Sequence, residues 1–142
     1  DDFVFHLLLH AADLVEGHLR RRLAELDLRP RQARVLDALA RMGEASQVDL
    51  AREFGVTPAS MSTMTARLIA AGFISRETDP DETRSNILRL TKLGSDLIVA
   101  IHAAWRDIDR LIEDRIGPNK AVALSALAKD LRDELGGHGP SV

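Results

Sequence analysis

Apolar residues recur along most of the chain at the spacing of an α-helix. Between residues 3 and 26 they follow a period of about 3.6 residues, and the basic run Arg20 to Arg22 stands near the end of this segment. The pattern predicts a long first helix that is apolar on more than one face. The positions that carry it are Phe3, Leu7, Leu8, Ala11, Leu14, Val15, Leu19, Leu23 and Leu26.

Two shorter helices are predicted next. Pro30 suits the first turn of the second helix, because a backbone donor in that turn has no partner within the helix, and Gly43 is expected to end it. A third helix is predicted at about residues 47 to 54, with Gly55 after it. The inward positions of the second helix are predicted to be Ala33, Leu36, Leu39 and Ala40.

Thr57 and Pro58 mark the start of a fourth helix, since threonine caps a helix and proline fits its first position. Gly72 is expected to end it, and the third and fourth helices together have helix-turn-helix spacing. The predicted inner face of the fourth helix consists of Met61, Met64, Thr65 and Leu68. The opposite face consists of Ala59, Ser60, Ser62, Thr63, Ala66, Arg67 and Ala70.

This outer face suits contact with the edges of DNA bases. A helix in the major groove needs such a surface, because bulk or negative charge would keep it away from the bases. No acidic residue occurs between Thr57 and Ile74, although the chain has 22 Asp and Glu residues. The alternative is a solvated helix in a structural bundle that happens to be rich in Ser, Thr and Ala.

A β-hairpin and two further helices complete the predicted order. Residues 73 to 78 and 86 to 90 are β-rich and flank a polar stretch, so they predict a hairpin with a long tip. Thr91 is expected to cap a long fifth helix that Gly117 breaks. The last helix, which begins at about residue 119, is expected to bury Val122, Leu124, Leu127, Ala128 and Leu131.

The apolar surface of the terminal helices exceeds what the small central lobe can cover. A second copy of the chain is the simplest way to cover it, so we expect a homodimer. The formal charge of −3 hides a modest asymmetry. Residues 29 to 92 carry ten Arg or Lys against eight Asp or Glu, which gives +2 and leaves −5 on the two ends.

Composition excludes several classes of protein. The absence of Cys removes disulfides, thiolate zinc sites and cysteine-based redox sensing. No apolar run reaches the roughly 18 residues that a membrane span needs, and no leader-like segment opens the sequence, so we expect a cytoplasmic protein without a membrane partner. No nucleophile with its base, phosphate loop or carboxylate pair indicates an enzyme or a cofactor.

The polar stretch and the residues after it resemble the wing signature of the MarR (multiple antibiotic resistance regulator) family. The resemblance rests on Asp79, Pro80, Asp81, Glu82, Thr83, Arg84, Ser85, Asn86, Leu88, Leu90, Thr91 and Gly94. The preceding Leu68, Gly72, Phe73 and Ile74 resemble the end of that family's recognition helix. The flanking helices match in number and length, so the resemblance covers nearly the whole chain.

The resemblance implies a mainly α fold with a β-hairpin wing. Residues 29 to 92 would form the winged helix-turn-helix lobe, residues 91 to 116 a long linking helix, and residues 1 to 28 and 112 to 142 the dimerisation region. The implied function is a sequence-specific transcription regulator that binds double-stranded DNA as a homodimer at a pseudo-palindromic operator, with repression the commoner role.

The resemblance also implies roles for single residues. Arg84 would enter the minor groove from the wing tip, beside Ser85 and oriented by Asp81 or Glu82. Many members have Asp where Glu82 stands and Arg where Thr63 stands. The remaining candidates for base readout are Ser60, Ser62, Thr63 and Arg67, and the candidates for phosphate contact are Arg52, Thr57 and Lys92.

A sensor site is suggested by the same resemblance. His10, Leu14, His102 and Trp105 would line a cleft for a small aromatic or phenolic effector, between the dimerisation helices and the lobe. The alternative is that Trp105 belongs to the core and that the histidines only pack with a satisfied hydrogen bond. His6 and His10 have metal-ligand spacing but lack clear carboxylate or thiolate ligands to complete a site, so no metal site is assigned.

A protein-binding module is an alternative function that shares the same fold. A winged helix can bind protein rather than DNA, and only the surface between residues 59 and 70 separates these functions. The Ser, Thr and Arg residues on that surface favour DNA.

Overall fold

The structure, a computed structural model, describes residues 3–79 and 82–139, except for the side chains of residue 79 and residues 82–85. Two helices open the chain: α1 (Val4–Ala24) and α2 (Pro30–Met42). Asp27 in the intervening turn has a positive φ of 56°. Arg22 on α1 donates to Asp107 at 3.1 Å, which ties α1 to a helix near the end of the chain.

The central lobe contains the predicted helix-turn-helix. It consists of β1 (Ala45–Ser46), α3 (Gln47–Phe54) and α4 (Pro58–Ala70). Gly55 adopts the left-handed conformation between the two helices, with φ 61° and ψ 33°. Glycine tolerates this conformation without steric cost, which explains the tight turn.

A three-stranded antiparallel sheet completes the lobe. The strands β2 (Ile74–Asp79) and β3 (Glu82–Leu90) form the predicted hairpin, and β1 pairs with β3 on the other side. The hairpin strands extend further toward the tip than the sequence indicated. Residues 45 and 46 were not predicted as a strand, because two residues are too few to show a period.

The long helix α5 (Lys92–Ile116) and the last helix α6 (Pro118–Glu134) follow the sheet. α5 packs against α1, α2 and α6. Its cap is Thr91, as predicted, and it ends before Gly117. No helix within residues 3–79 and 82–139 combines the length and the apolar character that a membrane span requires.

The core lies where α2, α3, α4 and the sheet meet α5. Leu36, Leu50, Leu68, Leu88 and Ile101 are among its fully buried side chains. Such burial contributes about 1.5–3 kcal/mol for each large side chain, so this cluster is a major source of the lobe's stability.

Two predictions of burial were wrong. Ala40 on α2 is exposed, whereas Val35 and Ala38 are buried. α2 packs against α1, α5 and β3, so its buried face includes Val35 and Ala38 but does not extend to Ala40 near the end of the helix. On α6 no residue is buried. Its apolar side chains Val122, Leu124, Leu127 and Leu131 are exposed in the single chain, since α6 packs only against α5.

Candidate nucleic-acid interface

Helix α4 has one buried face and one exposed face, as its sequence predicted. Met61, Thr65 and Leu68 are buried, and Met64 packs against the same core. The opposite side consists of exposed residues, which are Ala59, Ser60, Ser62, Thr63, Ala66, Arg67 and Ala70. The fold therefore presents to solvent a helix surface without acidic side chains.

The start of α4 is held by Thr57. Its Oγ1 accepts a hydrogen bond from the backbone N–H of Ser60 at 3.1 Å and donates to Ser60 Oγ at 3.1 Å. A cap of this kind contributes about 1 kcal/mol. The Thr57 hydroxyl is therefore engaged within the protein, and it orients the exposed first turn of α4.

The hydroxyl and guanidinium groups further along α4 differ in whether they form hydrogen bonds within the protein. Thr63 Oγ1 donates to the backbone carbonyl of Ala59 at 3.2 Å, which leaves its lone pairs accessible. Ser62 and Arg67 are exposed, and no described side chain pairs with Arg67. The residues predicted to read bases therefore share one accessible surface.

The wing has two chemically different faces because side chains alternate along a strand. One face carries Ile74 and Leu88 into the core and continues outward to Arg76 and Asn86. Arg76 is exposed and has no ion-pair partner among the described residues. A cation is thus presented on the face that turns toward α4.

The other face of the wing is an internal ion cluster. Arg89 donates through Nη1 to Glu77 at 2.6 Å and through Nη2 to Glu44. The hydrogen bonds from Glu77 and then Glu44 raise the pKa of the Arg89 guanidinium. Arg89 therefore joins β3 to β2 and to the segment before β1, and both of its hydrogen-bonded amino groups are already satisfied.

A groove of about 670 Å³ lies between the start of α4, the start of α3 and the inner face of the wing. Its polar lining combines one cation with groups that donate hydrogen bonds, which are the requirements for holding a phosphodiester. The residues lining it are Ser46, Gln47, Val48, Pro58, Ala59, Ser62, Arg76 and Asn86.

Gln47, Arg76 and Asn86 are among the lining residues that sequence reasoning did not select. Strand alternation places Arg76 and Asn86 on one face of the hairpin, and that signal was available in the sequence once the register was known. Gln47 begins α3 directly after its Ser46 cap.

The wing tip falls outside the part of the chain that can be described in full. Arg84 and Ser85 belong to β3, and their side chains lie outside the described residues, as does that of Glu82. Asp81 lies outside them entirely. The minor-groove role of Arg84 therefore stays a prediction.

The two other cations predicted to contact phosphates each have a carboxylate nearby. Arg52 on α3 lies 3.8 Å from Asp49, and Lys92 lies 3.2 Å from Asp96 on α5. Both are highly exposed, so these pairs contribute little and can open when a stronger anion approaches.

The predicted effector residues are only partly assembled in one chain. His102 Nε2 lies 2.7 Å from Asp37 Oδ1, and the rings of His102 and Trp105 are 5.6 Å apart. Trp105 lines a pocket of about 410 Å³, whose lining includes none of His10, Leu14 and His102. The side chains of His10 and Leu14 are exposed on α1.

The surroundings of Trp105 are rich in cations and aromatic rings. Arg34 lies over the ring of Phe54 at 5.3 Å, and both residues line the same pocket as Trp105. Arg41 also lines it, and its Nε donates to Asp37 at 3.2 Å. The pocket therefore combines aromatic rings and arginines with the carboxylates of Asp37 and Glu53.

The histidines of α1 show no assembled metal site. The ring of His6 packs against Phe3 and Phe5, with centroid distances of 5.3 and 4.0 Å. Across residues 3–79 and 82–139, no group of three His, Cys, Asp or Glu side chains is arranged to hold a metal.

Comparisons with known proteins point to one family. Residues 26–85 match the model of the MarR family. The HTH-type transcriptional repressor NicR of Pseudomonas putida is 27% identical over 130 residues, which is 92% of this chain and 82% of NicR.

Solved structures share the same fold. A mutant of MarR from E. coli, in complex with operator DNA, has a TM-score of 0.80 and 20% identity over 90% of this chain and 92% of that one. Bordetella bronchiseptica BpsR, whose DNA binding is regulated by 6-hydroxynicotinic acid, has a TM-score of 0.81 and 24% identity. That similarity covers 93% of this chain and 94% of BpsR.

Proposed function

We propose that this chain is a MarR-type transcription regulator, a DNA-binding repressor that acts as a homodimer on a pseudo-palindromic operator. The observation that carries this proposal is the exposed, acid-free face of α4 beside a wing that turns a cation toward it. A helix with this surface fits the major groove while the wing follows the adjacent backbone.

Dimerisation would cover the apolar surface that the single chain leaves exposed. Most of the large exposed hydrophobic side chains lie on α1 or α6, and Phe5, Leu8, Leu127 and Leu131 are examples. Contiguous apolar surface of this kind marks an interface. A two-fold pair formed by these helices would place two α4 helices on the same side of the assembly.

The residues of the interface divide into two groups by chemistry. We assign base readout to Ser60, Ser62, Thr63 and Arg67, since they are exposed on the outer side of α4. We assign phosphate contact to Arg76, Gln47 and Asn86 in the groove, together with Arg52, Lys92 and the capped start of α4 at Thr57. Arg84 and Ser85 are assigned to the minor groove at the wing tip.

An aromatic acid is the effector class that the Trp105 pocket supports. Trp105 supplies a ring for stacking, and Arg34 supplies positive charge for a carboxylate beside Asp37 and Glu53, which also line the pocket. The regulation of BpsR by 6-hydroxynicotinic acid supports the same class. His102 would position the pocket through Asp37, and His10 and Leu14 stay candidate residues on α1.

Selection of bound fragments from genomic DNA of the source organism tests the proposal directly. We expect one enriched inverted repeat, and fluorescence anisotropy with that duplex should show binding by a dimer that weakens steeply as salt rises. Multi-angle light scattering should give twice the chain mass. A folded dimer that enriches no sequence and binds no duplex would instead favour the protein-binding module.

A further inference from the structure

The end of α4 and the start of α5 meet in a short junction around Thr91. Thr91 Oγ1 donates to the backbone carbonyl of Gly72 at 2.6 Å and accepts from the backbone N–H of Gly94 at 3.1 Å. The backbone N–H of Thr91 also donates to the carbonyl of Phe73 at 3.0 Å. One threonine therefore bonds both to the turn after α4 and to the first turn of α5.

The two backbones approach as closely as their atoms allow. Gly94 is buried, and a Cβ added to it would lie 2.1 Å from the carbonyl oxygen of Phe73. Gly72 has a φ of 86°, a conformation that favours glycine, and the side chain of Leu93 lies over it. The junction thus has no space in which the turn could shift toward α5.

This junction matters because α4 has little other connection with α5. α4 packs chiefly against α3 and β2, whereas α2 packs directly on α5. The bonds at Thr91 therefore help to set the orientation of α4 relative to the long helix, together with the core that the two helices share. In a dimer, α5 leads to the subunit interface, so the same bonds would influence the spacing of the two recognition helices.

We propose that Thr91 is a positioning residue that fixes the recognition helix α4 to the linking helix α5. Its role in operator binding rests on the proposed function, but the fixing of α4 to α5 is a property of the single chain. The hydroxyl donates and accepts at the same time. Loss of the donated bond frees the Gly72 carbonyl for water and lets the turn after α4 move.

Three variants separate this role from ordinary helix capping. Thr91→Val removes both hydroxyl bonds, and Thr91→Ser keeps both. Thr91→Asp keeps the cap, because a carboxylate accepts from the Gly94 N–H, but it cannot donate to the Gly72 carbonyl. If Thr91 acted only as the cap of α5, Thr91→Asp would behave like the parent chain.

The distance between α4 and α5 gives a direct readout. The chain has no Cys, so nitroxide labels can be placed at Ala66→Cys and Arg106→Cys, two exposed positions on α4 and α5. Labelled chain is diluted into excess unlabelled chain so that electron–electron dipolar spectroscopy reports distances within one chain. Circular dichroism melting checks that each variant is folded.

We expect a broader label distance distribution in Thr91→Val and Thr91→Asp and an unchanged one in Thr91→Ser. If Thr91→Val fails to fold, the Asp variant carries the test alone. Unchanged distributions in a folded Thr91→Asp chain would overturn the proposal.

DNA binding is measured separately on the duplex selected from the genome. Thr91→Val should bind the duplex about tenfold more weakly than Thr91→Ser. A tenfold loss of affinity is the size of the net contribution of about one hydrogen bond. Equal affinities would overturn the link to DNA binding. If the parent chain binds no duplex, the proposed function fails while the distance measurement still decides the role of Thr91.

Discussion

Replacement of Arg76 by Gln tests whether the groove beside the wing holds a DNA phosphate. Arg76 is exposed and unpaired among the described residues, so its replacement should change the free energy of unfolding by no more than about 0.5 kcal/mol. Its contribution should emerge only in the complex with DNA. Because each protomer of a dimer supplies one Arg76, the variant dimer would neutralise two fewer phosphates than the parent.

The size of the effect follows from counterion release. Each phosphate contact contributes about 0.9 to the slope of log affinity against log salt, so the variant dimer should have a slope shallower by about 1.8. Between about 50 and 200 mM salt, the affinity of the parent should therefore fall by about twelvefold more than that of the variant. The slopes should change equally on the operator and on unrelated duplex, because phosphates carry no sequence.

Fluorescence anisotropy over a salt series measures these slopes. Arg106→Gln is the matched control, since Arg106 is exposed on α5 and lies about 21 Å along the helix from Lys92. That distance exceeds the Debye length of about 8 Å at physiological salt. An unchanged slope in Arg76→Gln, or an equal change in Arg106→Gln, would refute the assignment of Arg76 to a phosphate.

Other experiments address the α4–α5 junction, the dimer interface and the Trp105 pocket. Gly94→Ala should lower the free energy of unfolding by more than about 2 kcal/mol in thermal or urea unfolding, because the added Cβ would collide with the Phe73 carbonyl. In the control Gly17→Ala, the free energy of unfolding should rise by up to about 1 kcal/mol from helix propensity. Leu8→Asp should shift the dimer to monomer in analytical ultracentrifugation while the helical content persists, and a dimer of unchanged strength would remove α1 from the interface. Trp105 is the only tryptophan, so its fluorescence should change saturably on titration with 6-hydroxynicotinic acid, and no change with this or other aromatic acids would contradict an effector site there.

Much of the fold could be predicted from local signals. Thr57 and Thr91 begin their helices as expected, because a cap depends only on residues within one turn. The two faces of α4 also follow from its period, since a helix places every third or fourth residue on the same side. The absence of acid from its outer face was visible in the sequence as well.

The partners of individual charged side chains could not be predicted in the same way. Arg76 and Arg89 both belong to the hairpin, and strand alternation places them on opposite faces without showing which of them meets a carboxylate. Arg89 lies between Glu77 and Glu44, while Arg76 turns toward α4. The difference arises from strand register and from a residue 45 positions away.

The burial of apolar residues also needed the tertiary structure. The sequence by itself determined that α6 is amphipathic, and it favoured burial of Leu127 and its neighbours. Only the tertiary structure showed that these side chains are exposed in the single chain, because α6 has α5 alone to pack against. Periodicity determines which residues share a face, whereas the surface that covers that face depends on contacts between distant segments.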